Sequence, residues 1–279
     1  MSIVVEICNF NDERLKNALI GLSRQEMIPD RVLIADGGSS PSYVERMRNF
    51  WMQDPEVSKL NLEWKTFPGT PLETRQASID SLTEDITVFL DSDEVPPPSW
   101  LRSITAPITE GKADFTGGPM ISEPAGSNYI TDYYREIENR IYQSDVIVDV
   151  NYMPLGNTAW KTTILRRLRF DMRLAKSCGE AEDYDLEMRA TDAGFKGQYV
   201  SEAAVKHYQS YPKTFFRLME RRYQYLLGAS IVLIKNGRLA RRIGETRARI
   251  RHPFGVIEAM LRPVALLHGF VRWRLFPKR

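Results

Sequence analysis

The chain has 279 residues, 43% of them hydrophobic and 27% charged, with a formal net charge of +2. That is enough apolar material for one large α/β domain with an appendage, or for two modest domains. The two cysteines, Cys8 and Cys178, lie far apart with no CxxC spacing, which excludes a disulfide framework and a Cys-based zinc site and points to a reducing compartment.

The N-terminal MSIVVEICNFNDER has neither the basic region nor the long apolar core of a secretory signal, so a cytoplasmic location is expected. Charge is unevenly spread. From Lys213 onward there are sixteen Lys/Arg and three Asp/Glu, leaving an acidic body ahead of a basic tail.

Ser2 to Ile7 is a short apolar strand, and Asn9, Asn11 and Asp12 suit a helix N-cap. A helix with Leu15, Ala18, Leu19 and Leu22 on one face follows. Arg31 to Ala35 forms a second buried strand that ends at Asp36-Gly37-Gly38-Ser39-Ser40, where the glycines permit positive φ and Ser39 or Ser40 can cap the next helix. The pattern predicts a helix over Val44 to Trp51, a strand over Leu60 to Lys65 and a helix over Leu72 to Leu82. These lead into Ile86 to Pro98, ITVFLDSDEVPPP. Its apolar run reads as a strand buried on both faces, stopped by Asp91-Ser92-Asp93-Glu94 and three prolines.

This alternation specifies a largely parallel sheet covered by helices. Right-handed crossovers put the ends at Asn9–Asp12, at Asp36 and at Asp91 with Asp93 on one edge. That is where open α/β sheets bind ligands. No G-x-G-x-x-G follows the first strand and no G-x-x-x-x-G-K-[ST] occurs, so a diphosphate has no glycine cradle and would be held through a cation. A D-S-D pair supplies the oxygen donors that Mg²⁺ or Mn²⁺ prefers.

Phe115 to Gly118 is a further strand, and the polar stretch Ser122 to Asn128 opens a second half. A helix over Ile130 to Tyr142 and a strand over Val146 to Val150 are expected next. Gly156-Asn157 reads as a turn ahead of a short basic helix. Cys178 to Asp185 leads into a helix over Leu186 to Ala193, with carboxylates in its first turn where the macrodipole favours them. A strand over Lys196 to Val200 and a short segment ending at His207 complete the body.

These pieces, in order over residues 2 to 210, resemble the inverting family-2 glycosyltransferases of the GT-A fold. The resemblance rests on Cys8-Asn9-Phe10-Asn11-Asp12, Asp36-Gly37-Gly38-Ser39, Thr74-Arg75-Gln76, and Asp91-Ser92-Asp93 with Pro98 and Trp100-Leu101. Further along it rests on Gly156-Asn157, Glu182-Asp183, Arg189 to Gly194, and Val205-Lys206-His207. It implies an α/β GT-A fold with a mostly parallel sheet flanked by helices, and a divalent cation (Mg²⁺ or Mn²⁺) as cofactor. Phe10 and Asp36 would hold the nucleoside, Arg75 would lie against the nucleotide and Asp91 would meet the ribose or metal shell. Asp93 and His207 would serve the metal, and Asp183 would be the general base. Asn157, Trp160 and Glu182 are expected on the acceptor side. Cys8, Phe10, Gly37 and Gln76 depart from the residues usual in the family.

The expected organisation is a GT-A domain over 1–210, divided into a nucleotide-sugar half (1–118) and an acceptor half (119–210), then a basic amphipathic region over 211–279. Within that region a helix starting at Pro212 would carry Phe216, Met219, Tyr223, Leu226, Leu227, Ile231 and Ile234 as an apolar stripe. A second apolar stretch, Val256 to Val271, contains Arg262 and Pro263. Neither stretch is long and charge-free enough to span a bilayer. With Trp273 and Phe276, the tail suits an anionic membrane surface at the inner face of the cell membrane. A helical cap on the body and an oligomer interface are the alternatives, and nucleic acid is disfavoured because no binding motif accompanies the charge.

The expected activity is metal-dependent, inverting transfer of a sugar from a UDP-, GDP- or dTDP-sugar to a saccharide or lipid-linked acceptor in surface-polysaccharide or glycolipid assembly. A sugar-nucleotide-forming nucleotidyltransferase shares the sheet and carboxylates but usually opens with a glycine-rich loop where Asn9-Phe10-Asn11 stands. A non-catalytic scaffold using the basic tail would not need both Asp93 and Asp183.

Overall fold

In the computed structural model, which describes residues 1–123, 128–143, 153–177, 181–237 and 253–275, the central feature is a seven-stranded sheet. Its first four strands are β1 (Ile3–Asn9), β2 (Arg31–Asp36), β3 (Leu62–Thr66) and β4 (Ile86–Leu90). They pair in parallel in the order β3-β2-β1-β4, and β1, β2 and β4 are almost wholly buried. This is the geometry that continuous apolar runs demand when helices cover both faces.

Between these strands run α1 (Leu15–Ser23), α2 (Pro41–Gln53) and α3 (Pro71–Ser81). Ser40 caps α2 and Thr70 with Glu73 forms a capping box on α3, each followed by Pro at the first helical position. The Ala18, Leu19 and Leu22 face of α1 packs into the core with Val5, Ile7 and Ile34.

Beyond β4 come β5 (Glu94–Val95), α4 (Trp100–Thr109), β6 (Phe115–Gly117), β7 (Met120–Ser122), α5 (Tyr129–Gln143), β8 (Asn157–Lys161) and α6 (Thr162–Leu168). They are followed by α7 (Met172–Ser177), α8 (Glu182–Asp192), β9 (Gly197–Tyr199) and β10 (Val205–His207). The large sheet closes in the order β4-β8-β6-β9, with β8 antiparallel to both neighbours. A second sheet, β5-β10-β7, joins the segment after the DSD stretch to His207.

Three expectations are corrected. Asn157, read with Gly156 as a turn directly ahead of a short basic helix, instead opens the strand β8, and that helix follows at Thr162. The boundary between the expected halves runs through one sheet, because β8 lies between β4 and β6. The helix expected to start at Pro212 is α9 (Phe215–Lys235), capped by Thr214, whose hydroxyl accepts from the Arg217 amide. The expected strand Val146 to Val150 and Cys178 lie outside the described residues.

The tail divides. The α9 residues Leu227, Ile231, Val232 and Leu233 join the core cluster built on β4, β6 and β8. The helix α10 (Pro253–Leu275) lies against α9 through buried Ala265, through Gly269 beside Ile231, and through a 2.8 Å hydrogen bond between Tyr223 and His268.

Candidate functional site

The carboxyl ends of β1, β2 and β4 meet at one edge, and their loops are tied together. Asn11, at φ 51°, donates its amide to Ser39 Oγ at 2.8 Å and accepts from the Ser40 amide at 3.0 Å. Tyr43 donates to Asn9 Oδ1. Gly37 donates its amide to the Asn9 carbonyl at 2.8 Å, fixing the β2 loop against the β1 loop. Above this edge opens a cleft of about 520 Å³. One side contributes Cys8, Phe10, Gly37, Arg75 and Asp91; the other contributes Pro154 to Gly156, Glu182 and Asp183.

Arg75 is the electrostatic centre of the cleft. It is 7% exposed, lies over the Phe89 ring and pairs with Asp91. Buried Glu6 sits behind it, accepting from Ser78, and loss of water pushes the Glu6 carboxyl up to about 7 despite the nearby guanidinium. The same desolvation raises the Cys8 thiol to about 12, so it is protonated at neutral pH. Arg75 Nη1 and Glu182 Oε2 are buried with no hydrogen-bond partner, although both residues line the cleft. Buried polar atoms are almost always satisfied, so two orphans on one cleft mark where a polar ligand would dock.

Asp183 is the second residue of α8, in its first turn. Burial, then the charge of Glu182, push its carboxyl up to about 7, while the Tyr184 and Leu155 amides oppose the rise. Glu182 is raised as well, chiefly by burial. The loop opposite is held by Glu187, whose carboxyl accepts from the Met153 amide at 2.8 Å.

Asp93 and His207 lie next to each other, outside the residues that line the cleft. His207 Nε2 lies 3.4 Å from Asp93 Oδ2, and Tyr208 donates its amide to the Asp93 carbonyl. No motif announces Arg14, whose Nη1 lies 3.0 Å from the same carboxylate oxygen while its other nitrogens hold Asp12. Burial alone would raise Asp93; His207 and Arg14 outweigh it and keep the carboxyl below its ordinary value. The Asp93 carboxylate is the donor type that Mn²⁺ and Mg²⁺ prefer, and His207 Nδ1 is buried without a partner. Among the described residues no group of three or more His, Cys, Asp or Glu is placed to hold a metal. The pair therefore fits a cation that takes the rest of its shell from phosphate oxygens and water.

Other expected residues sit elsewhere. Asn157 is fully buried: its Oδ1 accepts from Trp100 Nε1, and its Nδ2 donates to the Pro119 and Ala203 carbonyls. Trp160 is also fully buried, stacked on Phe115 with centroids 4.3 Å apart. Both belong to β8, whose side chains are enclosed between neighbouring strands and helices, so neither faces an acceptor. Asp36 is 1% exposed and accepts from the Gly38 and Ser39 amides, shaping its own loop. Phe10, by contrast, is 63% exposed at the cleft.

Glu94 follows the D-S-D pair but turns inward. It is fully buried behind Asp91, accepts the Asp91 amide at 3.0 Å, and is raised well above the carboxylate range by burial and by Asp91 and Asp93. A Cβ on Gly156 would sit 2.5 Å from Asp91 Oδ2 and 2.9 Å from Glu94 Oε1, so only glycine lets the second loop approach this closely.

Comparison with known proteins bears on the same architecture. Among solved structures, a mannosyltransferase from Pyrobaculum calidifontis, in complex with GDP-Man and Mn²⁺, superposes with a TM-score of 0.63 at 15% identity, covering 97% of this chain and 73% of its own. TarS 1–349 from S. aureus, in complex with UDP-GlcNAc, gives 0.57 at 15% identity, with coverage of 97% and 73%. Glucosyl-3-phosphoglycerate synthase from Mycobacterium tuberculosis, with Mn²⁺, UDP and phosphoglyceric acid, gives 0.56 at 14%, with coverage of 84% and 78%. No curated protein sequence matches the chain. The family described as "Glycosyl transferase family 2" matches residues 2–167, and "Glycosyl transferase family group 2" matches residues 86–277. Each match covers more than half of the chain, which therefore belongs to the family-2 glycosyltransferases and has their GT-A fold.

Proposed function

We propose that this glycosyltransferase moves a sugar, with inversion, from a nucleoside-diphosphate sugar to an acceptor hydroxyl on a saccharide or lipid-linked intermediate of surface-glycan assembly. The observation that carries this reading is the shared cleft: Asp183 lines it opposite Phe10, Arg75 and Asp91, on an element from the other side of the β8 insertion.

Phe10 offers an exposed ring to the base. Arg75 supplies positive charge for the diphosphate, its orphaned Nη1 being free to donate. Asp93 and His207 would hold a divalent cation, which when bound supplies Lewis-acid neutralisation of charge on the departing diphosphate. Asp183, raised to about 7, is a base whose affinity for protons matches neutral pH. It takes the proton as the acceptor oxygen bonds to the anomeric carbon and the bond to the phosphate oxygen breaks.

The test is nucleoside diphosphate release and binding with UDP-, GDP- and dTDP-sugars, with and without Mn²⁺ or Mg²⁺. Asp183→Asn is expected to lose on the order of 10² to 10⁴ in rate with donor binding kept. Asp93→Ala is expected to lose metal-dependent donor binding. Full turnover in Asp183→Asn removes the base, and donor binding indifferent to both metal and Asp93→Ala removes the metal.

A further inference from the structure

Part of the apolar stripe on α9 is spent on the core, through Leu227 and Ile231, but α10 keeps one of its own outside. Val256, Met260, Val264, Leu267 and Val271 recur at intervals of four, four, three and four residues, which places them along one helical face. All five are between 46% and 70% exposed, and neighbouring Leu266 and Phe270 are 40% and 44% exposed. The opposite face is the one already committed to α9, through Ala265, His268 and Gly269. Seven exposed large apolar side chains on one helix exceed the scattered exposure that soluble surfaces normally carry.

We infer that the outer face of α10 docks in the plane of an anionic lipid surface. Charge complementarity selects this occupant. The segment from Lys213 onward holds sixteen Lys/Arg against three Asp/Glu, including the Arg-rich 238–251 just ahead of α10 and Lys278 and Arg279 just after it. Two copies apposed through so basic a region would repel, whereas each Lys or Arg near anionic lipid contributes about 1 kcal/mol of attraction. Arg274 also stacks over the Phe270 ring at 5.0 Å, pairing a cation with the apolar stripe.

Spanning is excluded for this helix by its sequence. Arg262 and Pro263 fall in its middle, and among the described residues no helix is long and apolar enough to cross a membrane. At 23 residues α10 is about 35 Å long and lies as an in-plane amphipathic helix.

The docking face is mechanically joined to the cleft wall. Trp273 of α10 stacks under the Arg173 guanidinium of α7 at 4.5 Å. Lys235, at the end of α9, bonds Asp185 at 2.6 Å and Asp171 at 2.8 Å. Asp185 lies two residues after Asp183 on α8, so the helix hairpin that would rest on lipid is tied to the helix that bears the proposed base.

The experiment is flotation of the full chain with phosphatidylcholine vesicles, neutral or containing 30% phosphatidylglycerol, alongside sedimentation velocity without lipid. Wild type is expected to float with the anionic vesicles, at least tenfold less with neutral ones, and less as salt rises. Val264→Glu/Leu267→Glu is expected to cut anionic flotation at least tenfold while its circular dichroism and its release of nucleoside diphosphate stay at the wild-type level. Absence of wild-type flotation, or equal flotation by the double variant, overturns the inference. So does a dimer in sedimentation that the double variant dissolves. Flotation does not depend on sugar transfer, so failure of the catalytic reading leaves this result intact.

Discussion

Asp183 and Glu6 carry similar raised values with opposite consequences. As the proposed base, Asp183 would act only when deprotonated, so kcat/KM is expected to fall about tenfold per pH unit below about 7, where an ordinary carboxylate would hold its rate to about pH 4. A pH profile flat from 5 to 8 would contradict the assignment. Glu6 bears on stability. Its folded value is above its unfolded one, so its contribution is full below about 4.5 and is lost as pH rises through about 7. Glu6→Gln is expected to flatten the decline in thermal midpoint between pH 5 and 8, as measured by calorimetry at each pH. At this scale the sequence was partly legible. The motifs point to Asp93 and His207, which lie 3.4 Å apart, and to Asp183, which lines the cleft, but not to Arg14 or Glu94. No spacing announces that a guanidinium from the first loop reaches a carboxylate nearly eighty residues later, or that the last residue of Asp91-Ser92-Asp93-Glu94 turns inward.

Among the elements, β1, β2 and β4 were readable because strands buried on both faces are apolar without interruption. The strand β8 was not. Gly156-Asn157 has the look of a turn placed directly ahead of the short basic helix, and only the slot between β4 and β6 draws Asn157 to Lys161 out as a strand. The same slot explains why Asn157 resembled a site residue: its amide satisfies two carbonyls and an indole that would otherwise be buried unpaired. The loop ahead of β8 is the part that reaches the cleft. Gly156→Ala is expected to force Asp91 and Glu94 apart, costing about 1–3 kcal/mol as an overpacked site does and weakening donor binding. Chemical denaturation and donor titration check the two effects, and an alanine variant with wild-type values for both would mean that the carboxylates yield freely.

The molecule as a whole is less divisible than its sequence suggests. The basic tail reads as an appendage after residue 210, yet Leu227, Ile231, Val232 and Leu233 of α9 are core residues. Burying four such side chains contributes roughly 6–12 kcal/mol, comparable to the 5–15 kcal/mol net stability of a typical domain. A chain ending at Tyr211 is expected to lose cooperative unfolding and bind a hydrophobic dye, read by a melt followed with 8-anilinonaphthalene sulfonate. A sharp, dye-silent transition would mean that the body stands alone. Composition could reveal the tail's charge and its apolar stripes; it could not reveal that one stripe turns inward and the other outward, because that depends on which helix reaches the core first.

The insertion of β8 also sets the order in which the chain can fold during synthesis. When β4 leaves the ribosome, its far edge, Ile86 to Leu90, has no partner until residues 157–161 arrive some seventy positions later. At a typical 5–20 residues per second, that edge waits several seconds. An apolar strand with unpaired amides is a template for aggregation. A chaperone that covers this edge during that interval is expected to raise the soluble yield of the growing chain.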